Sequence, residues 1–87
     1  MKIKKIIYTS HFKRALKKLP ESIKKQMIQK EKLFRANCFD PRLKTHKLND
    51  PLSEYWSFSV NHSTRTLFSF ETNEETAFID IGPHSIY

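Results

Sequence analysis

The sequence contains 87 residues, enough for one domain (residues 1–87) but not for a large internal cavity, since such a chain buries only about 60–65% of its unfolded surface. Its single cysteine, Cys38, excludes an internal disulfide, and the lack of a long apolar stretch excludes a membrane span and a secretory signal, so we expect a cytoplasmic protein that contacts no membrane. The net charge of +7 favours a polyanionic partner.

A strand and a helix are predicted for the first twenty residues. Residues 2–8 mix isoleucines with lysines, which suits a strand at an exposed sheet edge. Ser10 is a good N-cap, and Phe12, Leu16 and Leu19 recur at helical spacing. We therefore predict a helix over residues 11–19 that ends at Pro20.

A second helix is predicted from residue 21 or 22 to residue 36. Its apolar stripe includes Ile23, Met27 and Phe34. Because only a short segment around Pro20 separates the two helices, we expect them to form an αα-hairpin that covers one face of a sheet.

Basic residues are concentrated in the helical part of the chain. Residues 1–50 hold fifteen of the sixteen Lys and Arg residues against four acids, or +11, whereas residues 51–87 hold Arg65 against five acids, or −4. The stretch 42–48 adds to this excess, and within it Arg42, Lys44 and His46 share one parity. Nucleic acid, or an acidic protein segment that covers the same surface, would be attracted to this half over a Debye length of about 8–10 Å.

Three strands are predicted in the last third, over residues 55–61, 64–71 and 76–82. Each is rich in aromatic or β-branched residues, and the polar links between them are short, so they form an antiparallel meander. In the first of these strands one face is apolar, with Trp56, Phe58 and Val60, and we assign it to the core. Tyr55 and Asn61 lie on the opposite, polar face, where a site can form.

Several pieces of this sequence together resemble the RelE/ParE superfamily of toxins from type II toxin-antitoxin systems, in its RelE/StbE or YafQ-like branches. They are the segment His46-Lys47-Leu48, the strand Tyr-Trp-Ser-Phe-Ser-Val at residues 55–60, Arg65 with the apolar strand after it, and the ending Asp-Ile-Gly-Pro-His-Ser-Ile-Tyr at residues 80–87. The resemblance implies an α+β fold in the order β-α-α-β-β-β-β. In this fold an N-terminal strand and a helical hairpin accompany a mostly antiparallel curved sheet.

The resemblance also implies an activity and partners. Such toxins are endoribonucleases (mRNA interferases) that cleave mRNA at the ribosome and are held inactive by a cognate antitoxin, a small acidic protein with a disordered segment. The reaction needs no metal and no other cofactor. It requires one group to take the proton of the 2′-hydroxyl, one to stabilise the charge on phosphorus and one to protonate the 5′-oxygen.

Four positions match the catalytic residues of the family. The resemblance implies that Arg65 stabilises the phosphate, His84 is the general acid, His46 is the general base and Tyr87 orients or stacks on the base at the cut, with the two histidine roles exchangeable. Further contacts with RNA are expected from Lys44, Lys47, Tyr55 and Asn61.

Two departures from the family pattern and two alternative functions remain open. Several ribosome-dependent relatives carry a basic residue where this chain has Ser59, so the site has one phosphate contact fewer there. Many relatives also have Gly where Glu54 stands. The ParE-like branch shares the scaffold but inhibits DNA gyrase. A basic module that binds nucleic acid without cleaving it is the other alternative, and it predicts salt-sensitive binding alone.

Overall fold

The computed structural model describes residues 1–83, which form a five-stranded sheet and two helices. The strands are β1 (Lys5–Tyr8), β2 (His46–Lys47), β3 (Trp56–Ser59), β4 (Thr64–Phe70) and β5 (Glu75–Pro83). The helices are α1 (Ser10–Lys17) and α2 (Glu21–Ala36), and a short 3₁₀ helix, Pro41–Leu43, precedes β2. The predicted α+β fold and its order β-α-α-β-β-β-β are confirmed.

The sheet has the strand order β1-β5-β4-β3-β2. Strands β2 to β5 pair with antiparallel neighbours, which confirms the predicted meander, and β1 lies at the edge, parallel to β5. The β4–β5 register shifts by one residue, since Leu67 pairs with Asp80 but Phe68 pairs with Phe78. Ile79 is therefore the extra residue of a β-bulge.

The helices cover one face of the sheet, and a cluster of phenylalanines fills the space between them. Phe34 of α2 is fully buried, with its ring centroid 5.0, 4.9 and 5.3 Å from those of Phe58, Phe68 and Phe78. Each of these rings stabilises the fold by about 1.5–3 kcal/mol through burial. Trp56 packs against the edge of this core, as its parity predicts.

The boundaries of α1 differ from the prediction by one or two residues at each end. Thr9, not Ser10, is the N-cap, because its Oγ1 accepts a hydrogen bond from the backbone N–H of Phe12 at 3.2 Å. The helix ends at Lys17 and not at Leu19, since a residue that precedes proline is disfavoured in the helical conformation. The predicted second helix agrees with α2.

The basic stretch 42–48 is less extended than its parity pattern indicates. Asp40 caps the 3₁₀ helix by accepting the Arg42 N–H at 2.9 Å, and Pro41 begins that helix. Lys44 then adopts the left-handed conformation, with φ 52° and ψ 41°. The strand β2 is left with only His46 and Lys47, so the shared parity of Arg42, Lys44 and His46 does not put them on one strand.

Candidate nucleic-acid interface

Four cationic side chains line a cleft of about 480 Å³ at one end of the sheet. Lys30 reaches it from α2, Arg42 and Lys44 from the segment before β2, and Arg65 from β4. The remaining lining side chains are polar, and they are Ser59, Asn61 and His62. We call this feature the cationic cleft, and its composition suits an anion, because no carboxylate is among these lining residues.

The pairing of β2 with β3 explains why the cleft opens at this place. Within residues 1–83, β2 pairs with β3 only through Trp56 and Ser57, so the outer edge of β3 beyond Ser57 borders the cleft. Ser59 lies directly opposite Arg65 in the register, and Gly82 lies opposite Arg65 on its other side. Arg65 is thus flanked across the sheet by two of the smallest residues, which leave room around its guanidinium.

Cross-strand pairing puts Arg65 on the face of the sheet opposite the helices, which we call the outer face. Thr66, the next residue, points to the helices, since its hydroxyl lies 3.4 Å from the sulfur of Met27. The outer face also bears Asp80, whose carboxylate lies 3.0 Å from His11 Nε2 and accepts the backbone N–H of Ile81 at 2.8 Å.

Asn61 holds the β3–β4 turn at the rim of the cleft. Its Oδ1 accepts hydrogen bonds from the backbone N–H groups of Ser63 and Thr64 at 2.8 and 2.9 Å, and from the Ser63 hydroxyl at 3.3 Å. Its Nδ2 donates to Gln26 Oε1 on α2 at 2.7 Å. The amide therefore fixes the turn and ties it to the helix.

Arg42 is held at the cleft by Asp40. Its Nε donates to Asp40 Oδ1 at 3.0 Å and its Nη2 to Oδ2 at 2.8 Å, a bidentate geometry. This contact, with the charge of Lys30 as a smaller cause, lowers the pKa of Asp40 to about 2. Asp40 is consequently an anion at neutral pH and neutralises part of the positive charge of Arg42.

His46 shares the outer face with Arg65 but lines a different cleft. It pairs with Ser57, which is two residues from Ser59, the partner of Arg65. Its Nδ1 lies 3.0 Å from the carbonyl oxygen of Lys44 and its Nε2 lies 3.4 Å from Ser57 Oγ. The second cleft, of about 290 Å³, is formed by residues 46–52.

The other residues expected to contact RNA are distributed unevenly. Lys44 and Asn61 line the cationic cleft with Arg65, and Lys47 lines the second cleft with His46. Tyr55 is half-buried and lies outside both sets of lining residues. His84 and Tyr87 lie outside the described residues.

Four side chains of the cationic cleft were not among the predicted site residues: Lys30, Arg42, Ser59 and His62. The sequence contains one indication for Arg42, because this residue lies close to Lys44 in the basic stretch 42–48. His62 stands in the turn between two predicted strands and had no pattern around it. Lys30 is one of many lysines on the helices, and only the tertiary structure separates it from the others.

Three further observations concern residues 1–83. Neither helix is both long and apolar enough to cross a membrane. The described part of the chain contains no group of three or more His, Cys, Asp or Glu side chains arranged to hold a metal ion. Cys38, the lone thiol, is buried, and burial raises its pKa.

No protein-family model matches the sequence, and no characterised protein matches it at the level of sequence. Solved structures, in contrast, have the same fold. An archaeal RelE-RelB complex from Pyrococcus horikoshii is 11% identical with a TM-score of 0.75, and the match covers 100% of both chains. The toxin-antitoxin complex RelBE2 from Mycobacterium tuberculosis is 17% identical with a TM-score of 0.72, over 98% of this chain and 95% of that one.

A third similar structure is a YoeB/ParE toxin from Agrobacterium tumefaciens, which is 15% identical with a TM-score of 0.74, over 93% of this chain and 99% of that chain. The expected RelE/ParE-type fold is therefore present over nearly the whole chain. A fold of this kind carries more than one activity, so the side chains of the site, and not the fold, determine which activity a chain has.

Proposed function

We propose that this chain is the toxin of a type II toxin-antitoxin module and a metal-independent endoribonuclease that cleaves mRNA at the ribosome, in the cytoplasm. The observation that carries the proposal is the cationic cleft, which adjoins the outer face beside Arg65. A groove lined by cations and bordered by polar side chains suits the phosphate backbone of a single-stranded RNA.

The chemistry of cleavage assigns a role to each proposed catalytic group. The 2′-oxygen attacks the adjacent phosphorus, its proton passes to a base, and the bond to the 5′-oxygen breaks as an acid protonates that oxygen. Arg65 neutralises the charge on the phosphate oxygens, His46 is the base and His84 the acid, or the reverse. Tyr87 stacks on or orients the base at the cut. The products are a 2′,3′-cyclic phosphate and a 5′-hydroxyl.

The roles of Arg65 and His84 are tested by substitution. We expect R65Q to slow cleavage of a model mRNA by about 10²–10³-fold, since it removes the charge that stabilises the transition state. R65K, which keeps the charge but not the planar fork, should retain intermediate activity. The measurements are growth on induced expression and mapping of RNA ends in the induced cells.

Full toxicity and full RNA cleavage in both R65Q and H84A would contradict the assignment.

One finding favours an alternative function. The Agrobacterium tumefaciens structure, which has the same fold, is named a YoeB/ParE toxin. Under this alternative the chain inhibits DNA gyrase. Induced cells would then accumulate gyrase-linked DNA breaks, while their mRNA would remain intact.

The proposed partner is a cognate antitoxin with an acidic segment. Support comes from the toxin-antitoxin complex of Mycobacterium tuberculosis, whose toxin fold is similar, and from the +11 charge of residues 1–50. An acidic segment that folds onto this surface would neutralise the same cations that are proposed to bind RNA.

A further inference from the structure

Two of the four cations in the cationic cleft, Lys30 and Arg42, are not among the residues expected to contact RNA. Lys30 stands near the middle of α2, and Arg42 lies in the 3₁₀ helix. In the sheet, the β3 residue that pairs with Arg65 is Ser59, which carries no charge. The cations that line the cleft with Arg65 therefore come from α2, the 3₁₀ helix and the adjoining Lys44, and not from β3.

Lys30 and Arg42 belong to one electrostatic group. The Asp40 carboxylate binds the Arg42 guanidinium through two hydrogen bonds of 3.0 and 2.8 Å. The charge of Lys30 contributes to the lowered pKa of Asp40, so its ammonium acts on the same carboxylate. The Arg42 side chain is 68% exposed, whereas that of Asp40 is 16% exposed, so the guanidinium and not the carboxylate is offered to solvent.

We propose that Lys30 and Arg42 form a second phosphate-binding subsite, which holds a backbone phosphate of the same single-stranded RNA next to the phosphate held by Arg65. Asp40 occupies the fork of Arg42 when no RNA is present. This subsite rests on the proposed function for the identity of its ligand. It gives the chain, from α2 and the 3₁₀ helix, the phosphate contact that Ser59 does not supply from β3.

Asp40 has two opposing effects in this subsite. A carboxylate and a phosphate both match the planar fork of a guanidinium, so an arriving phosphate competes with Asp40 for Arg42. The same carboxylate caps the 3₁₀ helix through the Arg42 N–H, at 2.9 Å, and so fixes the place from which Arg42 reaches the cleft. Asp40 thus positions Arg42 and weakens the binding of an anion to it.

The subsite can be tested with RNA that cannot be cleaved. A fluorescent single-stranded RNA with a 2′-O-methyl group on every ribose lacks the nucleophile, and its affinity is measured by anisotropy at several salt concentrations. We expect K30Q and R42Q each to weaken binding about tenfold, the size of one hydrogen bond to a charged group. Each should also reduce the slope of log affinity against log salt by about 0.7.

Two further variants make the measurement specific. K13Q removes one exposed lysine of α1, which does not line the cleft, and should change affinity by less than about twofold. D40N keeps an oxygen that can accept the Arg42 N–H but removes the competing charge, so it should strengthen binding about threefold. Thermal unfolding of each variant verifies that it is folded before binding is measured.

Each result decides one part of the proposal. Binding by K30Q and R42Q that equals binding by K13Q would overturn the subsite, and an unchanged or weaker affinity in D40N would overturn the competition by Asp40. Because this RNA is not cleaved, the outcome is separate from the proposed reaction. A parent protein that binds RNA through Lys30 and Arg42 but leaves unmodified mRNA on translating ribosomes intact would support the subsite and contradict the nuclease.

Discussion

At the scale of single residues, Asn61 both lines the cationic cleft and organises its rim. Three groups donate to its Oδ1, the N–H of Ser63, the N–H of Thr64 and the hydroxyl of Ser63, while its Nδ2 reaches Gln26. Thr64 begins β4, so this amide also sets where the strand that carries Arg65 starts. A contact with RNA, which the sequence resemblance implied, would come in addition to this structural role.

We therefore expect N61A to destabilise the fold by about 1–3 kcal/mol, because it leaves several donors without their acceptor. N61D keeps the oxygen acceptor and loses only the donor to Gln26, so it should lose about 1 kcal/mol or less. Urea unfolding measures both. N73A, in the exposed β4–β5 turn, is the control, and a loss in N61A no larger than in N73A would contradict the role of Asn61.

The residue scale also shows which lining residues of the cationic cleft the sequence can single out. Arg65 was identifiable because it is the only basic residue after position 50, on a strand whose parity is clear. Lys30 was not identifiable, because the amphipathic pattern of a helix indicates which side is apolar but not which of its lysines faces a neighbouring turn. His46 lies in β2 and lines a different cleft from Arg65, and no sequence pattern indicates the left-handed conformation of Lys44 shortly before it.

At the scale of elements, the start of α1 is fixed by a contact that the sequence does not reveal. Thr9 and Ser10 are both good capping residues. Thr9 is the cap because its hydroxyl also donates to the carbonyl oxygen of Phe78 at 2.8 Å, which joins the helix to β5. Local propensity left two candidates, and the tertiary hydrogen bond selects one.

We expect T9A to lower the free energy of unfolding by about 1–2 kcal/mol, since it removes both the cap and the bond to β5. T9S retains the hydroxyl and should lose less than about 1 kcal/mol. S10A is the matched control, because Ser10 is the exposed first residue of α1. Denaturant unfolding compares the three, and a larger loss in S10A than in T9A would mean that the helix starts as the sequence alone predicted.

The short strand β2 marks the limit of prediction for elements. The helices and the three strands of the meander follow from strong periodicity, and their limits are correct to within a few residues. The stretch 42–48 has no such periodicity. Its conformation is determined by the Asp40 cap, by Pro41 and by Lys44 in the left-handed region, which are single-residue effects.

At the scale of the whole molecule, the cationic cleft lies where the basic and the acidic part of the chain meet. Residues 1–50 carry +11 and residues 51–87 carry −4. Three of its four Lys and Arg side chains come from the first part, and Arg65 comes from the second. The positive charge of residues 1–50 therefore steers a polyanion towards Arg65.

We expect lysines outside the cleft to act on the rate of association with RNA and not on dissociation. The double variant K13Q/K17Q removes two exposed charges of α1 and should slow association about twofold to fivefold at low salt, an effect that disappears near 0.5 M salt. R42Q should mainly accelerate dissociation. Stopped-flow fluorescence separates the rates, and faster dissociation of the double variant would mean that these lysines contact bound RNA.

The Ile79 bulge has a consequence for how this chain can be compared with others. If Ile79 instead paired with Leu67 in a regular register, Ile81 and not Gly82 would pair with Arg65, and Asp80 would pair with Thr66 on the side of the helices. A bulky aliphatic group would then crowd the guanidinium and a carboxylate would enter the apolar interior. A gapless alignment to a chain that lacks this insertion matches the wrong residue to Gly82, even when both chains fold alike.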